Sequence, residues 1–382
     1  MLGVRGGFVT VPGTGHGGAA HGPNVRWLEG LSPWPTEGFG LERIRELLVR
    51  LGNPERRFAA VHVVGSNGKS TTARTVARLL AAEGLRSASY LSPHVEGWHE
   101  RLDTDPAGLE HAIERVRAAA EQVQATQFET LTAAALADFA ARGIQVAAVE
   151  AGLGGRHDAT NVLAAGVVVL TNVSLEHAEV LGDTREAIAA EKLAVVSPGA
   201  TVIVGEPEWA DLAWASGAAR VDHPGRSSLA LATAGAEAHL GGPLSQLPQH
   251  AEELPGRFER RGERPLEIWD GAHNPAGVVW LLPRLPDRDF AIVASIFADK
   301  DADAMLRALA QRGSTLIATQ STSDRSLPAA ALAELAEPHF ARVETVDVAR
   351  RAVERARAIA GPDGAVLVTG SLHLLAELSA DE

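Results

Sequence analysis

Val61-His-Val-Val-Gly-Ser-Asn-Gly-Lys-Ser-Thr-Thr72 is the stretch that decides the fold. An apolar, β-branched run ends in a turn with two glycines. A helical pattern follows over Lys69–Glu83, with apolar residues at Val76, Leu79 and Leu80. Glycines let backbone N–H groups turn toward a phosphate, and the helix behind them presents its positive end. Lys69 is placed to neutralise β and γ oxygens, and the hydroxyl beside it to reach a metal. Val63 stands where the longer GxxxxGK[ST] pattern has its first glycine, so the sequence carries the shorter GxxGKST form. A glycine-rich turn that only caps a helix is the bland alternative. Strand, loop and helix fall in the order that phosphate binding requires, which makes Gly65, Ser66, Asn67, Gly68, Lys69, Ser70 and Thr71 the expected ATP-binding residues.

Outward from this loop the same alternation continues. Strand-length apolar runs lie at Ala60–Val64, Ser87–Leu91, Gln145–Val149, Gly166–Leu170 and Thr201–Val204, with helical patterns near 108–124, 130–142 and 184–195. Such a β–α rhythm predicts a mostly parallel sheet covered on both faces. Residues 205–255, rich in Gly, Ala, Pro and His, break the rhythm and read as a weakly structured linker region. After it, strands near 266–269, 290–294, 315–318, 342–346 and 365–368 alternate again with helical stretches. The expected class is α/β: a P-loop mononucleotide-binding domain over 25–255, then a smaller Rossmann-like α/β domain over 256–382. Residues 1–24, rich in Gly and His and without the apolar run of a signal peptide, read as a disordered leader.

Composition narrows the function. The chain has 382 residues, enough for two cores, and 46% of them are apolar. A net charge of −13 without any basic stripe argues against nucleic acid. No run of about 18 uncharged apolar residues exists, so no membrane span is expected. There is no cysteine, which excludes disulfides and thiolate chemistry and fits a cytoplasmic protein. Only three of the 35 basic residues are lysine: Lys69, Lys192 and Lys300. Arginine cannot act as a compact amine or give up its proton, so lysines kept in an arginine-writing chain point to chemistry.

Four further segments are informative: Tyr90-Leu-Ser-Pro-His-Val95, Glu150-Ala-Gly-Leu-Gly-Gly-Arg-His-Asp-Ala-Thr-Asn161, the stretch Thr171–Thr184 leading into Glu191-Lys192, and Pro255-Gly-Arg-Phe-Glu259 with Asp270-Gly-Ala-His-Asn-Pro275. The first two end strands, where α/β sheets bind ligands. Glu150 ends a buried strand, where an unpaired carboxylate is costly and a Mg²⁺ would compensate it. Alone, Ser92 reads equally as a turn residue before proline, His177 as a helix cap, Glu150 as an ion-paired strand end and Lys192 as a surface lysine. Seen together behind a phosphate loop, Ser92, His177 and Glu150 are better read as metal ligands.

In this order the segments strongly resemble the folylpolyglutamate synthase/dihydrofolate synthase family, a branch of the Mur ligases. The likeness runs from about residue 26 to 380 and includes Leu41-Glu-Arg-Ile44, Leu51-Gly-Asn-Pro54, Asp299-Lys300-Asp301 and Thr369-Gly-Ser-Leu372. It implies an ATP-dependent ligase that forms an amide through an acyl phosphate, with L-glutamate joining a folate or dihydropteroate carboxylate. It implies two Mg²⁺ sites, one on Ser92 and Glu150 and one on Glu150 and His177, and a carbamate on Lys192. Lys69, Lys192, His177 and Glu150 are the implied catalytic set. Arg257 would reach the ATP phosphates and Asp270 the ribose, with His273 and Asn274 in the same cleft beside the incoming glutamate. Two flexible pieces would frame the pterin-bearing substrate: Thr36–Phe39, and Gln127, Phe128, Glu129 and Thr130. His157, Asp158 and Ala159 would lie nearby. Closure of the two domains on each other and a monomeric state are implied as well.

The chain departs from the family at Ser70, where a glycine is usual, and at Glu176, where aspartate is common. It also lacks the His-Gln…Asn-Ala segment whose asparagine meets the adenine; Arg226-Ser-Ser-Leu-Ala-Leu231 is its worn counterpart. Two rival readings remain open on sequence: another Mur-type ligase acting on a cell-wall nucleotide, and an inactive ATP-binding homologue.

Overall fold

The computed structural model describes residues 21–35, 38–175 and 178–380. The chain divides into two compact units. One comprises the residues up to Pro93 together with Gly97–Glu252, and the other His94–Glu96 together with Glu253 onward.

In the first unit six strands form one sheet: β1 (Ala59–Val64), β2 (Ser87–Tyr90), β3 (Val146–Glu150), β4 (Val167–Leu170), β5 (Thr201–Val204) and β6 (Arg220–Asp222). Their order is β2-β3-β1-β4-β5-β6, with every pair parallel. β3 and β4 are buried along their whole length, as expected of strands covered on both faces. His62 of β1 stands in register with Val149 of β3 and Val168 of β4. Because all strands run one way, the segments after β1, β2, β3 and β4 emerge together at one edge, and that edge carries the candidate site.

Nine helices surround this sheet among the described residues: α1 (Pro23–Glu29), α2 (Glu42–Arg50), α3 (Lys69–Ala82), α4 (Pro106–Val123), α5 (Gln127–Ala141), α6 (Ala178–Leu181), α7 (Arg185–Leu193), α8 (Ala210–Ala215) and α9 (Ser228–Leu240). Two expectations need correction. Residues 205–255 are not a weakly structured linker, since they contain α8, β6 and α9. The sequence SLALATAGAEAHL of α9 shows little apolar contrast because alanine occupies all its faces. Small residues are what its packing needs: a Cβ on Gly235 would lie 3.1 Å from Val169. The leader expected to reach residue 24 is overlapped by α1, whose first amides, Asn24 N and Val25 N, each donate to the Glu110 carboxylate at 3.0 Å. The rest of that leader, residues 1–20, lies outside the described residues.

The second unit holds β7 (Glu259–Glu263), β8 (Leu266–Trp269), β9 (Phe290–Ala294), β10 (Thr315–Gln320), β11 (Arg342–Val348) and β12 (Ala365–Thr369) in the order β11-β10-β9-β12-β8-β7. All pairs are parallel except β7 with β8. The helices α10 (Pro275–Leu281), α11 (Ala302–Leu309), α12 (Ala329–Ala336), α13 (Ala349–Ala360) and α14 (Leu372–Ala380) complete it. Val95 belongs here by packing, buried in one cluster with Trp269, Leu374 and Leu375.

Candidate active site

The phosphate loop is braced by the segment that follows β4. Ser66 N donates to Asn172 O at 2.9 Å and Asn67 N to the Asn172 side-chain oxygen at 3.0 Å. The Thr171 hydroxyl donates to Asn67 O at 2.7 Å, and Ser174 N to the Ser66 hydroxyl at 3.0 Å. This approach is why Gly65 must be glycine. Its φ is +144° and a Cβ there would meet Thr171 Oγ1 at 1.9 Å. Gly68, with φ +80°, turns the chain into α3. Two of the three lysines converge on the loop's carbonyls. Lys69 Nζ donates to Ser66 O at 3.2 Å, and the buried Lys192 Nζ donates to Gly65 O at 3.0 Å. Ser70 and Thr71 are buried in the first turn of α3.

On the other side of β1, the ends of β2 and β3 meet: Ser92 N donates to Glu150 Oε2 at 3.0 Å, and Glu150 is almost fully buried. The structure adds a residue that the sequence reading passed over. Arg101 is buried with its guanidinium 4.7 Å from the centre of the Trp98 ring. Burial lowers its pKa, while Tyr90, Glu100 and Glu150 nearby favour its charge. In an arginine-rich chain nothing local marks it out.

The GLGG segment is shaped by close packing on α7. A Cβ on Gly155 would lie 2.6 Å from the carbonyl oxygens of both Glu191 and Lys192. Arg156 next to it donates from N to Glu191 O at 3.1 Å and pairs with the Glu191 carboxylate at 3.1 Å. Asp158 is buried and folds this loop on itself. It accepts from Leu153 N at 2.8 Å, Thr160 N at 2.9 Å and the Thr160 hydroxyl. Burial raises its pKa against the pull of those donors. The Thr160 hydroxyl lies 2.8 Å from Nε2 of the fully buried His62. His157 is exposed and Ala159 buried.

The remaining expected substrate residues fall differently. Gln127–Thr130 is not a flexible piece but the first turn of α5, fixed by a capping box. Thr126 N and its hydroxyl donate to Glu129 Oε2 at 2.8 Å, and that carboxylate also pairs with Arg43 at 2.7 Å. The Gln127 side chain donates to Leu28 O at 3.1 Å. Thr130 is fully buried, and Phe128 is half-buried with its ring against Tyr90 and Gly152. Phe39 is exposed and meets Trp34 edge-on, on the rim of a crevice of about 550 Å³ also lined by Arg43 and Gln124. Thr36 and His177 lie outside the described residues.

In the second unit, Asp270 ends β8 and accepts from Phe258 N at 2.8 Å and Ala272 N at 3.0 Å. Burial raises its pKa, opposed by Arg284 and Arg257. Arg284, which also covers the Phe258 ring at 4.4 Å, is a second residue the sequence reading passed over. His273 Nδ1 lies 2.8 Å from Gly271 O, and Asn274 caps α10 by accepting from Gly277 N at 2.6 Å. Where β9 and β10 end, Lys300 and Arg325 share Asp299 at 3.1 and 2.7 Å. Three hydroxyls gather nearby: Ser326 lies 3.2 Å from Ser295 and 2.7 Å from Ser321.

The described chain thus has a first α/β unit with a phosphate loop and a buried strand-end glutamate beside a serine, and a second α/β unit with a basic cluster at its strand ends. Residues 63–212 match the Mur ligase middle domain and residues 256–372 the Mur ligase glutamate ligase domain. Folylpolyglutamate synthase of Lacticaseibacillus casei is 32% identical over 87% of this chain and 92% of its own length. The Escherichia coli structure described as FolC in complex with DHPP and ADP has a TM-score of 0.84 at 29% identity, covering 94% of this chain and 97% of that one. A Yersinia pestis bifunctional folylpolyglutamate synthase/dihydrofolate synthase complexed with AMPPNP and Mn ion has a TM-score of 0.81 at 31% identity, covering 94% and 98%. The chain spans about half the length (48%) of a Haloferax volcanii protein named as a probable bifunctional folylpolyglutamate synthase/dihydropteroate synthase, at 32% identity. The chain belongs to the folylpolyglutamate synthase/dihydrofolate synthase family.

Proposed function

We propose that this protein is an ATP-dependent carbon–nitrogen ligase that joins L-glutamate to the carboxylate of a folate or dihydropteroate, releasing ADP and phosphate. The observation that carries the reading is the loop Gly65–Lys69 with Lys69 and Lys192 on its carbonyls, next to the Ser92–Glu150 contact.

The ATP phosphates would lie on the loop amides and the start of α3. An acceptor carboxylate oxygen attacks the γ-phosphorus and ADP leaves. The glutamate nitrogen then attacks the acyl carbon, phosphate leaves, and the nitrogen loses a proton. Lys69 balances charge on the phosphates during the first step. Arg101, beside Glu150, is placed to steady an anionic acceptor. Arg257 and Asp270 are assigned to the nucleotide, with Asp270 acting through the turn it holds at Phe258 and Ala272. Lys300 and Arg325 suit the carboxylates of glutamate better than His273 and Asn274, whose side chains already hold Gly271 and α10.

The donors fit Mg²⁺. Ser92 and Glu150 offer only oxygen, and among the described residues no group of three or more His, Cys, Asp or Glu side chains converges. Mg²⁺ bound by one or two protein oxygens plus phosphates needs no more. When bound it would withdraw charge from the phosphates. The second Mg²⁺ site with His177 and the carbamate on Lys192 belong to this proposal, as do a cytoplasmic location and a monomeric state. Lys192 supports the carbamate by position, its amine being buried against the phosphate loop.

The test is phosphate release with ATP, Mg²⁺, L-glutamate and either dihydropteroate or tetrahydrofolate, with product mass read in parallel. Glutamylated product is expected with at least one acceptor. Release with UDP-linked acceptors alone, or with none, would sink the reading. A Lys192→Ala variant with full activity would remove the carbamate.

A further inference from the structure

Among the described residues, four that are not glycine have a left-handed backbone: Asn53, Asp103, Gln124 and Phe258. Asn53 and Asp103 are of types that tolerate it, and Gln124 caps the end of α4. Phe258 is different. At φ +59° its bulky side chain is a genuine outlier, and such strain persists only where the surroundings over-determine the backbone.

The surroundings here do so. Phe258 directly follows Arg257, in the turn that leads into β7. Arg257 N donates to Leu254 O at 3.0 Å, and Gly271 N to Gly256 O at 2.8 Å. Gly256 N donates to Glu259 Oε2 at 2.7 Å, and Phe258 N to Asp270 Oδ2 at 2.8 Å. Val95 and Leu375 press on the turn, since a Cβ on Gly256 would lie 3.1 Å from one and 2.9 Å from the other. These contacts hold the backbone on both sides of Arg257 but leave the Phe258 ring. The ring carries the Arg284 guanidinium, 4.4 Å from its centre, which reaches it from the chain just after α10. Asp270 feels both cations: burial raises its pKa, and Arg284 and Arg257 oppose the rise.

We propose that Arg284 is a positioning residue for phosphoryl transfer: by covering Phe258 it holds the strained turn, and so fixes the direction in which the Arg257 side chain leaves it. Relaxation of φ at Phe258 would turn the peptide plane that this residue shares with Arg257. A guanidinium that meets phosphate oxygens as a planar fork loses its alignment on a small rotation of that kind. Arg284 acts through Arg257 and not on the reacting atoms. The inference rests on the ligase reading above, in which Arg257 serves the nucleotide, and adds the residue that holds it.

Steady-state ligation by the full chain reads the consequence, with ATP, Mg²⁺, L-glutamate and whichever of dihydropteroate or tetrahydrofolate is glutamylated. Arg284→Ala is expected to lower kcat about fivefold, the population shift that a surface cation–π contact supports, with KM for glutamate and acceptor within about twofold. Phe258→Leu should show the same loss, and the double variant no more than either, because each removes the same contact. Hydrogen exchange reads the turn itself: the Phe258 amide should exchange about fivefold faster in Arg284→Ala, with the amides of β9 unchanged. Unchanged kcat in Arg284→Ala overturns the proposal, whether or not the turn opens. A rise in every KM together overturns it as well, since that marks general damage. So do losses that multiply in the double variant, which would give Arg284 and Phe258 separate tasks. Wild-type protein that glutamylates neither acceptor removes the ligase reading, and exchange at Phe258 then still decides whether Arg284 holds the turn.

Discussion

Acidification should destabilise the first unit through one histidine, His62, in the strand that feeds the phosphate loop. Full burial lowers its pKa from 6.5 to about 4, with its Nε2 2.8 Å from the Thr160 hydroxyl and no partner for Nδ1 among the described residues. In the unfolded chain this imidazole takes up a proton below about pH 6.5, and in the folded one not until about pH 4. Stability it supports is therefore complete above about pH 6.5 and drains away as pH falls toward 4. One pKa unit corresponds to about 1.4 kcal/mol, so the full window is worth about 3 kcal/mol, and the step from pH 7 to pH 5 about 2 kcal/mol. Asp158, which shares Thr160 with His62, has its pKa raised by burial and works the other way, gaining stability as pH falls. The measurement must therefore be a difference. Urea unfolding of wild type and His62→Gln, followed by tryptophan fluorescence at pH 7 and pH 5, isolates the imidazole. Glutamine keeps a donor toward Thr160 without a titrating group. The wild type should lose about 2 kcal/mol more than the variant over that interval. Parallel losses in the two proteins would refute the reasoning.

Other substitutions probe the packing and the caps. Gly155→Ala drives a methyl group into the carbonyls of Glu191 and Lys192, and should cost about 2 kcal/mol or more by thermal unfolding. Glu129→Ala removes both the α5 capping box and the partner of Arg43, so about 2 kcal/mol should be lost in urea unfolding. If instead Glu129 touches substrate, acceptor KM will rise with stability intact. Asn274→Ala deletes the α10 cap and should cost about 1 kcal/mol in chemical unfolding, with glutamate KM little changed.

What could be read from the sequence follows from how each element is buried. β3 and β4 are covered on both faces, so Val146–Glu150 and Val167–Leu170 appear as unbroken apolar runs, and the glycine-bounded loop after β1 fixes its own surroundings. By contrast β7, whose sequence is ERRGE, is an edge strand defined by its antiparallel pairing with β8 rather than by any apolar pattern. The helix α9 was hidden for a related reason, since alanine on every face erases the period that marks a helix. At the site, the sequence could list polar residues near strand ends and helix starts but not separate ligand contacts from caps. Glu129, Gln127 and Asn274 sit in first turns or caps, where side chains bond to backbone as readily as to substrate. Arg101 and Arg284 went unremarked as site groups for the converse reason. Each becomes notable only through a tertiary neighbour, Glu150 or Asp270.

The scarcity of lysine acquires a geometric explanation at two of its three positions. Lys69 and Lys192 both end on carbonyl oxygens of the phosphate loop, Ser66 O and Gly65 O. A carbonyl pocket of that kind accepts a compact ammonium, which needs one small opening and can turn its three donors. A guanidinium is a rigid planar fork with five donors, which asks for more room and more acceptors than a compact ammonium does. Burial against the loop thus favours lysine over arginine at Lys192 whether or not the amine is modified. Retention of lysine alone does not argue for a carbamate there. The proposal of a carbamate rests instead on the amine's position against the phosphate loop. Lys300 differs, being paired with Asp299 next to Arg325, where a second guanidinium would compete for the same carboxylate. An ammonium and a guanidinium can share one aspartate from different directions. That division of roles is the physical reason for assigning the glutamate carboxylates to this pair.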